Sequence, residues 1–160
     1  TVNEARSSEN PSGSKWKFYL DLESPVVDAP SIGPKMAEKL ASVSVETVSD
    51  LVSASAESIA SQLNVKYVTV ETVADWQKQA LMVCRVPNLR GHDAQILVGV
   101  GVSTPEELAA SDASALLGQV AKFASSKAGQ RILRGTSSPD KAEVVEWIHW
   151  AQNCRAIRAA

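Results

Sequence analysis

The 160-residue chain is 44% apolar and 21% charged, an ordinary globular composition with enough length to bury one core. Its formal charge of −2 gives no long-range attraction to nucleic acid or to an anionic membrane, so any polyanion site has to be local. No apolar run approaches the roughly 20 residues of a membrane span, and the N-terminus lacks a charged-then-apolar signal pattern, so a cytoplasmic protein without membrane contact is expected. Cys84 and Cys154 are expected as free thiols in a reducing compartment. His92 and His149 stand apart from any second Cys or His at metal-ligand spacing, so neither a metal nor a cofactor is expected.

Residues 1–14, rich in Ser, Asn and Glu, have nothing to bury and are expected to be disordered. Residues 15–29 form an aromatic lead-in, either a short extended segment or an irregular cover. There Trp16, Phe18 and Tyr19 can clamp the terminus to the body. At Pro30-Ser31-Ile32-Gly33-Pro34 a tight turn opens a helix, because Pro suits the first helical position, where its missing N–H costs nothing. That helix is predicted from Pro34 to about Ser42. Thr47 and Asp50 make a capping box for a second short helix ending near Ser53. Ser55 caps a third, with Ile59 and Leu63 inward. Thr69 starts a longer one from Val70 to about Arg85, with Val73, Trp76, Ala80, Leu81 and Cys84 at core spacing.

Residues 87–120 then repeat residues 30–63 without a gap, at an offset of 57 and with nine identities. The identities include Pro30/Pro87, Leu40/Leu97, Thr47/Thr104 and Leu51/Leu108, which are turn, cap and inward positions, where a shared fold constrains sequence. Thr104-Pro105-Glu106-Glu107 combines cap, helix-starting Pro and capping-box Glu. Trp76 recurs as Trp147 at an offset of 71, which implies a 14-residue insertion around 126–139. The insertion reads as a short helix capped by Ser126, running to Arg134 and stopped by Gly135. Ser138-Pro139-Asp140 starts a last helix expected to reach about Arg158.

The stretch Ser31-Ile32-Gly33-Pro34-Lys35-Met36-Ala37, followed by Leu40 and Thr47-Val48-Ser49-Asp50-Leu51, resembles the helix-hairpin-helix motif. That motif occurs in DNA repair proteins, DNA ligases and the C-terminal domain of the bacterial RNA polymerase alpha subunit. With Asp75-Trp76 and Glu146-Trp147 closing the two halves, the chain is similar to the uncharacterised bacterial domain of unknown function 4332 family, in its planctomycete form. The resemblance implies an all-α fold of two tandem helix-hairpin-helix units, each closed by a longer Trp-containing helix and packed as one domain. Unit 1 spans 30–85 and unit 2 spans 86–160, with the inserted helix near 126–134. It implies no established activity. The DNA-binding hairpin usually carries a glycine on each side of one apolar residue. Here Ser31 and Asn88 stand at the first of these positions, and Gly91 lies one residue beyond the second.

Two readings stand for the turns. As an anion site, helix N-terminal N–H groups would approach phosphate, with cations beside them. As a structural joint, each turn would only hold Ile32 or Leu89 in the core. The nucleic-acid-binding candidates are Ser31, Gly33, Lys35, Lys39, Asn88, Arg90, Gly91 and His92, joined by Lys127, Arg131 and Arg134, which share one face of the inserted helix. Nothing resembles a nucleophile elbow, a phosphate-binding glycine loop or a paired-carboxylate site, so no enzyme and no catalytic residue is expected. The expected function is a binding module for the nucleic-acid backbone, DNA included, without base specificity. The alternative is a protein-interaction or scaffolding module of a larger bacterial protein.

Overall fold

The computed structural model describes residues 16–157, and among these it is all-helical, with nine α-helices and no β-strand. The expected disorder of residues 1–14 lies outside them. In chain order the helices are α1 Pro34–Ala41, α2 Val48–Ser53, α3 Ala56–Leu63, α4 Val70–Arg85, α5 Gly91–Gly99, α6 Pro105–Ala109, α7 Ala113–Ala124, α8 Lys127–Leu133 and α9 Lys141–Ala151.

Local chemistry explains most of these boundaries. Seven helices begin at a Ser, Thr or Asp whose side chain accepts an otherwise unsatisfied N–H of the first turn: Thr47, Ser55, Thr69, Thr104, Asp112, Ser126 and Asp140. Asp50 also accepts the N–H of Thr47 at 3.1 Å, and Glu107 that of Thr104 at 3.2 Å, closing the two capping boxes.

The starts of α1, α2 and α3 recur 57 positions later as those of α5, α6 and α7. Backbone conformation follows the same offset, with positive φ at Ser31 (71°) and Asn88 (66°), and at Ser44 (68°) and Gly101 (93°). After the second of these turns Val45 N–H donates to Leu40 O and Val102 N–H to Leu97 O, both at 2.9 Å. Leu40, Leu51, Leu97 and Leu108 are fully buried. Each contributes about 1.5–3 kcal/mol of apolar burial.

α4 packs on α2, α3 and α5, while α9 packs on α6 and α7. Trp76 and Trp147 sit in these interfaces, 6% and 0% exposed. α8 packs on α5 and on α7, and Gly129 makes the close approach to α7. A Cβ there would lie 2.1 Å from Phe123 O, so only glycine fits.

Three expectations need correction, and Leu63 packs against the core as expected. The last helix ends at Ala151 rather than near Arg158, because the next residues serve α4 instead. Arg155 N–H donates to Arg85 O at 2.9 Å and its Nε to Cys84 O at 2.8 Å, satisfying carbonyls at the open C-terminal end of α4. The same guanidinium reaches Leu20 O at 3.2 Å and stacks 3.8 Å from the centroid of Phe18. The inserted helix stops at Leu133, one residue short of expectation, since Arg134 turns left-handed at φ 51° and Gly135 follows at 85°. Leu81 is half-buried, and beside it Met82 and Val83 enter the core.

The lead-in takes the irregular form, with one isolated bridge between Pro25 and Thr47. Asn88 holds it, accepting Lys17 N–H on Oδ1 at 2.9 Å and donating its own N–H to Lys17 O at 2.6 Å. Trp16 lies against His149, ring centroids 5.8 Å apart. Both cysteines are free, and burial pushes the Cys84 thiol up to about 12.

Candidate nucleic-acid interface

α1 and α5 are the two described helices whose N-cap residue supplies no acceptor to the first turn, and both follow a positive-φ turn. The turns touch. A Cβ on Gly91 would lie 3.6 Å from Pro30 Cγ, and Gln95 Nε2 donates to Ser31 Oγ at 2.9 Å. Ser31 in turn donates to the buried Gln79 at 2.6 Å, so its hydroxyl serves the joint between α1, α4 and α5.

The first turn is open beyond that joint. Gly33 adopts ordinary extended backbone, φ −93°, ψ −180°, and a Cβ there would meet nothing within 4 Å. The fold itself therefore has no need of a glycine at this position. Lys35 and Lys39 are exposed on α1, with no carboxylate in ion-pair range among the described residues.

The second turn is filled from within. Asp93, 1% exposed, accepts the Arg90 N–H at 3.1 Å, Arg90 Nε at 3.1 Å and a terminal guanidinium N–H at 3.3 Å. His92 Nε2 lies 3.3 Å from the same carboxylate. The hydrogen bond to Asp93 raises the Arg90 pKa above its ordinary value, so this guanidinium stays charged. It remains half-exposed and faces Glu143 at 3.7 Å across the first turn of α9.

Arg90 and His92 line a cleft of about 650 Å³ together with Arg131 of α8 and Arg134 just after it. Arg131 and Arg134 are exposed and make no ion pair among the described residues. Of the residues singled out from sequence, these four converge on the cleft. Ser31 reaches it only through Gln95, while Gly33, Lys35, Lys39, Asn88, Gly91 and Lys127 do not line it. Lys127 is exposed at the start of α8.

Sequence reasoning passed over Gln95, Ile132, Leu133, Thr136, Ser137 and Glu143, which complete the walls. One signal was available: Asp93 replaces Met36 in the repeat, an acid at an inward position three residues after an arginine. Among the described residues no three His, Cys, Asp or Glu side chains cluster as a metal site requires, and no helix is long and apolar enough to cross a membrane.

Residues 30–154 match the model of the family described as Domain of unknown function (DUF4332). The chain belongs to this family. The match runs from the first turn to the residue before Arg155, and so takes in both turns and the whole cleft. No curated protein and no solved structure is significantly similar to the chain. The family description assigns no activity, and the cleft itself is what speaks to function.

Proposed function

We propose that this protein is a non-catalytic module that binds the phosphate backbone of nucleic acid without reading bases. The observation that carries the reading is the convergence of Arg90, Arg131, Arg134 and His92, from two separate elements, on one cleft beside the touching turns. Arginine suits the task, because its planar fork donates two parallel hydrogen bonds to phosphate oxygens. The open start of α1, with Gly33, Lys35 and Lys39, adds a second contact region of the same sign.

The molecule is slightly acidic overall, so attraction is short-ranged and confined to this face. In this reading the chain is a cytoplasmic pair of tandem helix-hairpin-helix units, each closed by its Trp helix. The 57-residue recurrence of turns and helix starts supports that arrangement.

Titration of end-labelled duplex and single-stranded DNA at low salt tests the function. Micromolar or tighter binding to both, weakened about tenfold or more when Arg131→Gln and Arg134→Gln are combined, is expected. Absence of binding at micromolar protein sinks the proposal. A protein-docking or scaffolding role is the second reading, supported by Tyr67 and Val70, exposed on either side of the α4 cap.

A further inference from the structure

A cleft differs from a groove in what it can hold. The volume of about 650 Å³ beside α8 lies in the range of pockets that enclose one small ligand. Its walls are also chemically divided. Arg131 and Arg134, three residues apart, supply two guanidiniums that no carboxylate balances among the described residues. Arg90 adds a third, fixed in direction by Asp93, and the exposed Ser137 hydroxyl lies on the same lining. Against these polar groups the lining sets the apolar side chains of Ile132, half-buried, and Leu133, buried. Glu143 completes the lining, so a strand continuing through the cleft would carry its next phosphates past a carboxylate.

We propose that this cleft seats a single phosphomonoester, the terminal phosphate of a nucleic-acid strand or of a free mononucleotide, with the attached nucleoside against Ile132 and Leu133. The inference rests on the backbone-binding reading and sharpens it, from any phosphate along a strand to the one at its end. A phosphomonoester carries about −1.5 to −2 charge near neutral pH, more than the single charge of a bridging diester, and offers three terminal oxygens to the arginines. The open start of α1 is left to hold backbone phosphates further along the strand.

The test compares three otherwise identical oligonucleotides, 5′-phosphorylated, 3′-phosphorylated and unphosphorylated, by fluorescence anisotropy at low salt. One phosphorylated form should bind about tenfold tighter than the unphosphorylated one, as charge-assisted hydrogen bonds to one group provide. The advantage should vanish when Arg131→Gln and Arg134→Gln are combined, in a variant whose helical circular dichroism is unchanged. Lys35→Gln with Lys39→Gln should weaken all three alike and keep the advantage. Equal binding of all three to the wild type, or an advantage that survives loss of both arginines, overturns the end-binding inference and leaves backbone binding standing. If no oligonucleotide binds, backbone binding falls, and titration with adenosine monophosphate decides the cleft alone. Amide shifts confined to α8, Ser137 and the start of α5 would retain the site for the free nucleotide, and their absence would overturn it.

Discussion

At the first turn Gly33 leaves the start of α1 open to solvent, whereas at the second a buried carboxylate, Asp93, closes the start of α5 with the chain's own charge. The two backbones follow the same path, with positive φ at Ser31 and Asn88 and extended conformation at Gly33 and Arg90. The lesson is that one hairpin geometry serves two purposes. In the first copy the donors of the helix start remain available. In the second they face an internal anion, and the positive charge is carried outward on the Arg90 side chain to a cleft that only the inserted helix α8 completes. In the proposed function, phosphate recognition in unit 2 thereby moves from backbone to side chains.

Breaking the closed turn should have the largest effect. Asp93→Ala removes the acceptor of the Arg90 backbone N–H and of two N–H groups on its half-exposed guanidinium, which should cost about 1.5–3 kcal/mol in urea unfolding. The equivalent position of the first copy, Met36, is half-buried, and Met36→Ala should cost only about 1 kcal/mol. Equal costs at the two positions would erase the contrast.

The capping boxes that follow each turn should behave alike. Asp50→Asn and Glu107→Gln are each expected to lose about 1 kcal/mol at neutral pH. For Asp50 the hydrogen bond from the Glu46 N–H, with that from Thr47, holds the carboxyl below its ordinary value of 3.8. Its folded pKa is depressed, so the contribution is complete above that value and is lost as pH falls through the folded one. The gap between wild type and Asp50→Asn should therefore be constant from neutral pH down to about 5 and should close in stronger acid.

Filling the open turn should sharpen the comparison in the opposite direction. Gly33→Ser places an acceptor over the α1 donors, and should raise stability by a few tenths of a kcal/mol while weakening DNA binding several-fold. A gain in both would show that the open helix start takes no part in binding. The smallest effect is expected at the rim of the cleft. Glu143→Gln removes a partly exposed partner of Arg90 and should tighten DNA binding about threefold at low salt, with stability unchanged.

Much of this architecture was legible before any coordinates, because caps and turns are local. Thr47, Ser55, Thr69 and Ser126 start the helices that their hydroxyls announce, and α4 occupies the bounds its periodicity indicates. Long-range side-chain chemistry was not legible. Arg155 reads as one more residue of a continuing helix until Cys84 O, Leu20 O and the Phe18 ring are found around it. The four cleft residues were each visible as cations or a histidine, yet their meeting depends on how α8 packs on α5 and α7. The ion pairs that Arg85 and Arg90 make were not legible either. Glu106 pairs with the first from the next helix pair, and Asp93 and Glu143 with the second.

The salt dependence of DNA binding tests the central claim most directly, since each neutralised phosphate releases counterions. Three cleft arginines and the two α1 lysines should give a slope of about −3 to −5 for the logarithm of duplex affinity against that of salt concentration. Combining Arg131→Gln with Arg134→Gln should flatten it by about 2. An affinity that ignores salt, or a slope unchanged by loss of both arginines, would contradict the account.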